Sequence, residues 1–290
     1  RFLPPETLVE VTTRTLQGRL LLQPNQRVAD LCRGVLARAA RLYPVQVHAF
    51  AFLGNHYHLL LTVPDAQRLA LFMNYLNSNL AREIGRAVRW RERFWGRRYQ
   101  AIPVSAEEPA QVERLVYILR QGCKEGLVRR PGDWPGATSV RALLTGEPIV
   151  GTWIDHTLEY TAARNGHRLH PRTWTITERL EHARLPCWTD ASPEEHSRRI
   201  GELVRQIEIE TSRALKESGR TELGASQVRR QDPHRPPNRI KKGPAPLIHA
   251  ATRSARLAYL DAYRAFVAAF RRASEQFRRS PNSRERFALF

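Results

Sequence analysis

Two histidines one residue apart, His56 and His58, sit in the run Asn55-His56-Tyr57-His58-Leu59-Leu60-Leu61-Thr62-Val63. Leucine, threonine and valine suit a pleated surface, and the Gly54-Asn55 corner before them is a turn signal. Side chains on a strand alternate faces, so both imidazoles point one way and Tyr57 the other. Two imidazoles on one rigid face supply most of the protein ligands of a divalent-metal site. The pair alone reads equally as histidines on a solvated face. Farther on, Tyr117 and Gln121 stand four apart in a helical stretch, which makes them surface neighbours. A phenol there is a candidate nucleophile; taken alone, it is more commonly a partly buried amphipathic tyrosine.

The surrounding periodicities give the elements that must hold these groups. Leu8 to Arg14 alternates as a strand, with Val9, Val11 and Thr13 on one face and Glu10, Thr12 and Arg14 on the other. After Pro24-Asn25, the residues Val28, Leu31, Val35, Leu36, Ala39 and Leu42 recur at helical spacing, and Pro44 ends that helix. Val45 to Phe52 is a second strand and His56 to Val63 a third. Leu69, Phe72, Met73, Leu76, Leu80 and Ile84 form the core stripe of a long helix, and Arg98 to Val104 a fourth strand. A helix opened by Ser105 and the acids Glu107 and Glu108 is expected to run to about Lys124. Val112, Leu115, Val116, Leu119 and Cys123 form its buried face; Arg114, Tyr117, Arg120, Gln121 and Lys124 fall on the exposed side. The first six elements give an α+β fold with a ferredoxin-like split βαβ antiparallel sheet and helices on one face. The histidine strand is then internal, and its outward face can receive the tyrosine helix.

The charge points to a polyanion. Forty-seven Lys+Arg against 28 Asp+Glu leave +19, with a pI near 11.0. Nucleic acid is the commonest partner of such a balance. Trp90 to Tyr99 interleaves arginines with aromatics, the pairing that holds phosphates and stacks unpaired bases; an amphipathic strand entrance is the alternative. No apolar run reaches the roughly 18 residues that span a bilayer, and no lipidation motif favours a membrane. The three cysteines, Cys32, Cys123 and Cys187, are widely spaced and form no CxxC pair, which suits a reducing compartment. There is no P-loop, no GxGxxG and no internal repeat.

Asn55-His56-Tyr57-His58-Leu59-Leu60 resembles the N-H-x-H-L-L strand of the HUH-type single-tyrosine transposases of the IS200/IS605 group, and more closely their REP-associated relatives. Tyr117-Ile118-Leu119-Arg120-Gln121 is similar to their Y-x-x-x-Q helix. Lys124 to Val128 and Trp134-Pro135-Gly136 are similar to the segments that follow. The resemblance covers about residues 8–145. Gln121-Gly122-Cys123 departs from it, since many REP-associated members carry an Asn-Pro pair there. The resemblance implies that His56, His58 and Gln121 ligate one Mg²⁺ or Mn²⁺. It implies that Tyr117 attacks single-stranded or hairpin DNA to leave a 5′-phosphotyrosine and a free 3′-OH. Arg14, Asn55, Trp95, Arg97, Arg98, Tyr99, Arg114, Arg120 and Lys124 are the expected DNA contacts, and the metal together with Arg114, Arg120 and Lys124 is expected to favour the phenolate. A cytoplasmic, nucleoid-associated monomer or homodimer follows, and a domesticated protein that binds hairpins without cleaving them is the alternative.

The expected division is 1–145 for the nuclease domain, 146–226 for a helical region, 227–246 for a basic Pro-rich arm and 247–290 for a C-terminal helix. Pro131 to Thr152 reads as a loop-rich boundary. Trp153 to Asn165, Thr175 to Ala183 and Pro193 to Glu217 read as helices, and Leu247 to Arg279 as a long one. The extension suggests hairpin or double-strand recognition, and the arm is either a phosphate-tracking segment or a solvated linker.

Overall fold

Strand β1 (Thr7–Arg14) sends Val9 and Val11 into one core and turns Glu10, Thr12 and Arg14 to the opposite face. In this computed structural model, residues 2–166, 170, 173–237 and 245–279 are described. Helix α1 (Gln26–Leu42) starts at Asn25, whose side-chain oxygen accepts from the Val28 N–H. Strands β2 (Gln46–Phe52) and β3 (His56–Val63) turn at Gly54-Asn55. Asp65 caps α2 (Ala66–Ala87) in the same way. Strand β4 (Gln100–Pro103) and helix α3 (Glu108–Leu119) follow. The sheet order is β2-β3-β1-β4 with every pair antiparallel, the ferredoxin-like order, and β3 is internal.

The two helices of the split βαβ share one face, where Val35, Leu36, Phe72 and Met73 meet Val9, Phe50 and Leu61. Helix α3 packs on the other face, its Leu115, Ile118 and Leu119 against Ala49, Ala51 and Leu60. The helix stops at Leu119, short of the expected Lys124. The chain turns at Gly122, whose φ of +86° is open to glycine, and a Cβ there would meet the Trp134 ring at 3.0 Å. The stripe expected to be exposed is largely covered: Gln121 is 3% exposed and the Arg114 side chain 12%.

Beyond the sheet, α4 (Val140–Thr145) and β5 (Ile149–Ile154) occupy part of the stretch read as a boundary loop. The expected helix over Thr175 to Ala183 is instead strand β6 (Thr175–Leu180), paired antiparallel with β5. Its Thr-Ile-Thr start favours strand, and its buried Glu178 and Leu180 alternate at a spacing of two. Helix α1 supplies the surface: Arg38 and Arg41 reach Glu178 at 2.7 and 2.9 Å. Gly34 lets the hairpin come so close that a Cβ would stand 2.0 Å from the Thr152 carbonyl oxygen. Helices α5 (His156–Arg164), α6 (Pro193–Glu217), α7 (Ala225–Arg230) and α8 (Arg253–Arg279) make the remainder mainly helical. The basic arm begins within α7, and its residues 238–244 lie outside the described residues.

His48 predicts a pH dependence of folding. It is 1% exposed, with Nε2 2.8 Å from Thr62 Oγ1 and Nδ1 3.2 Å from the Ala183 carbonyl. Burial pushes its pKa down to about 4. An unfolded histidine titrates near 6.5, so the unfolded chain takes the proton first as pH falls. The stability tied to neutral His48 is complete above that value and drains between about 6.5 and 4, by at most ~3 kcal/mol. Urea unfolding at pH 7 and pH 4.5 checks this: His48→Gln shows a smaller loss between the two than the parent chain.

Candidate active site

The register of β1 on β3 sets Thr12 opposite His58 and Arg14 opposite His56, so all four share the face under α3. Tyr57 points the other way; it is fully buried, and its hydroxyl donates to Asn77 Oδ1 at 2.6 Å. Both histidines, Tyr117, Arg14, Arg97 and Arg98 line one cavity of about 430 Å³.

Each imidazole is held by its Nδ1. His56 Nδ1 stands 2.7 Å from Asn55 Oδ1, while Asn55 Nδ2 donates to the Gly18 carbonyl. His58 Nδ1 stands 2.9 Å from Glu10 Oε1. Both acceptors call for an Nδ1–H, which leaves each Nε2 with its lone pair. The rings lie edge to face at 5.1 Å. Burial, then His58, Arg14 and Lys124, hold the His56 pKa well below its ordinary value, so His56 is neutral as a ligand must be. Glu10 is 3% exposed. Burial pushes its carboxyl up, but His249 and His58 outweigh that and hold it well below the usual carboxylate range.

Tyr117 stands edge-on to His58 of the same chain, ring centroids 5.3 Å apart. The Arg114 guanidinium and the Lys124 ammonium lie 4.9 and 4.6 Å from the phenol ring. Burial and the Glu10 carboxylate push its pKa above the ordinary value; Gln121 and Arg114 pull down without winning. These neighbours alone favour the neutral phenol; the sequence assigned the phenolate to the cations and a metal acting together. Gln121 is buried beside the tyrosine: its Nε2 donates to the Tyr117 carbonyl at 2.9 Å, its side chain also interacts with the phenol, and it does not line the cavity. Its Oε1 remains as a hard oxygen donor. Among the described residues no three His, Cys, Asp or Glu side chains gather as a metal site. The candidate set is two imidazole Nε2 atoms and one amide oxygen, and the Nδ1 partners fit it.

The expected DNA contacts divide. Arg14, Arg97 and Arg98 are exposed on the cavity. Arg120 and Lys124 border a neighbouring one of about 550 Å³ between the turn after α3 and helix α6. Tyr99 lines a third with Trp95. Asn55 is engaged in orienting His56. Trp95 donates its indole N–H to the Asn77 carbonyl at 2.8 Å and packs edge-on to Tyr57, so much of its face is spent on the core. Arg114 is an internal cation, paired with Glu113 and 3.5 Å from Glu10. Two residues escaped the sequence reading. Glu10 was read on one face of its strand with Thr12 and Arg14, but not as a partner of His58. His249 carries no motif; its Nε2 stands 3.0 Å from Glu10 Oε2.

An antiparallel sheet thus presents a histidine pair to a helix-borne tyrosine. Residues 20–121 match the family described as "Transposase IS200 like". Among solved structures, a REP-associated tyrosine transposase bound to a REP hairpin is 18% identical, over 51% of this chain and 87% of that one, with a TM-score of 0.42. A putative transposase from Deinococcus radiodurans R1 is 20% identical, over 40% of this chain and 93% of that one, with a TM-score of 0.31. No curated protein matches the chain. No helix among the described residues is long and apolar enough to cross a membrane.

Proposed function

We propose that the chain cuts and rejoins single-stranded or hairpin DNA through Tyr117, as a REP-associated transposase of the IS200-like kind. The observation that carries this is the Tyr117 ring 5.3 Å from His58, with both imidazole Nε2 atoms left open on one cavity. His56, His58 and, through Oε1, Gln121 would hold Mg²⁺ or Mn²⁺; such an ion, when bound, polarises a scissile phosphate as a Lewis acid. Asn55 and Glu10 fix the two rings. Arg14, Arg97 and Arg98 neutralise and orient the strand. Tyr117 Oη attacks phosphorus, the phenolic proton leaves, and the bond to the 3′ oxygen breaks. A 5′-phosphotyrosine and a 3′-OH result, and attack by a 3′-OH on the phosphotyrosine reverses the step. Domains 1–145, 146–226, 227–246 and 247–290 remain the proposed division.

The test is incubation of the full chain, as monomer or homodimer, with single-stranded hairpin DNA and Mn²⁺. A covalent protein–DNA adduct is expected. Tight binding without an adduct under Mg²⁺ or Mn²⁺ favours the alternative, a hairpin binder that does not cleave. The raised phenol and the position of Gln121 off the cavity wall are the observations on that side.

The arginines give a separate prediction. Arg97→Ala with Arg98→Ala removes two exposed cations from the cavity rim. If each meets one phosphate, the slope of log Kd against log salt falls by about 1.4 for single-stranded DNA. Filter binding across 50–300 mM salt measures it, and an unchanged slope removes both residues from the interface.

A further inference from the structure

We propose that the segment 247–252 of the C-terminal extension is a built-in part of the candidate active centre, and that His249 is a positioning residue for His58, acting through Glu10. This rests on the metal-site reading of His56 and His58 given above. The segment is fixed first by its backbone. The His249 N–H donates to the Pro103 carbonyl at 2.9 Å and its carbonyl accepts from the Ser105 N–H at 2.8 Å. Val104 and His249 thereby form a parallel bridge on the free edge of β4, the edge of the four-stranded sheet. An unpaired sheet edge is a template for an added extended segment, and here the chain supplies its own.

That docking delivers a side chain to the centre. His249 Nε2 is shut off from solvent without a well-aligned hydrogen-bond partner, and Glu10 Oε2 stands 3.0 Å from it. The other oxygen of the same carboxylate, Oε1, receives His58 Nδ1. One buried carboxylate thus spans an imidazole from the histidine strand and an imidazole from the far end of the chain. A desolvated carboxylate needs its charge matched. Without His249, Oε2 keeps Arg114, at 3.5 Å, as its ion-pair partner among the described residues. Glu10 is then freer to turn from His58, and the ring loses the contact that fixes its tautomer and aims Nε2.

A second clamp ties the segment to the tyrosine helix. Glu107, the residue before α3, accepts from the Ala251 N–H at 2.9 Å, the Thr252 N–H at 3.3 Å and the Ser105 hydroxyl at 2.7 Å. The same carboxylate therefore meets the start of the helix that bears Tyr117 and the approach to α8. The extension is held at two points, one leading to His58 and one to Tyr117.

The test uses the full chain and Mn²⁺ alone, with affinity read by calorimetry or by the EPR signal of free ion. His249→Leu keeps bulk without a donor; His249→Gln keeps a donor. Leu is expected to weaken Mn²⁺ binding by about tenfold, the lower end for an outer partner of a metal ligand. Gln is expected to restore most of it, at the same thermal midpoint as Leu. Added to Glu10→Ala, His249→Leu is expected to cost nothing further, because it acts through that carboxylate. Equal affinity for the parent, Leu and Gln chains overturns the proposal while the metal site stands, as does full additivity with Glu10→Ala. A parent chain that binds no Mn²⁺ overturns the metal-site reading and this proposal together.

Discussion

Replacing Tyr117 with phenylalanine is expected to abolish the covalent DNA adduct and to lower strand cleavage by at least ~10³-fold, the scale on which loss of a nucleophile is felt. Only the hydroxyl is lost. The ring keeps its edge-on contact with His58 and its place under Arg114 and Lys124. Hairpin binding is therefore expected to stay within a few-fold, and folding within about 1 kcal/mol, the worth of one hydrogen bond. A denaturing gel with labelled hairpin DNA and Mn²⁺ reads the adduct directly. An adduct of undiminished yield in the variant would mean that another residue is the nucleophile. Because burial and Glu10 hold the phenol above its ordinary value, it is protonated at neutral pH. Its proton must therefore be lost as the O–P bond forms, and cleavage is expected to rise with pH between 6 and 9.

His58→Ala is the second large effect. It removes a proposed ligand and leaves the buried Glu10 Oε1 without its donor. Cleavage is expected to fall by ~10²-fold or more, since a Lewis-acid contact is worth several kcal/mol. Stability falls by about 1–3 kcal/mol, the cost of an orphaned buried acceptor. Salt-sensitive DNA binding should persist, because Arg14, Arg97 and Arg98 are untouched. Single-turnover cleavage against Mn²⁺ concentration, with binding measured in parallel, separates these effects. Cleavage that survives in the variant would remove His58 from the metal site.

The parts of this site that depend on local periodicity were legible in the chain. Alternation in β3 put His56 and His58 on one face and Tyr57 on the other, and the element order placed that strand inside the sheet. Helical spacing paired Tyr117 with Gln121. The helix end was less legible, because a left-handed glycine at position 122 and the bond from Gln121 to the Tyr117 carbonyl close the helix early. Strand β6 was misread because six residues of mixed propensity take their conformation from what they pack on, here the Arg38 and Arg41 side chains of α1.

By itself, then, the sequence determined the chemical inventory and its faces: the imidazole pair, the phenol, the amide four residues on and the basic charge. The tertiary structure alone decided how these groups are poised. It paired Glu10 with His58 across β1 and β3, buried Gln121 against Tyr117, and brought His249 from late in the chain to the same carboxylate. Periodicity constrains residues a turn or a pleat apart. A contact between residues 10 and 249 depends on the closing of an intervening fold, and no local pattern encodes it.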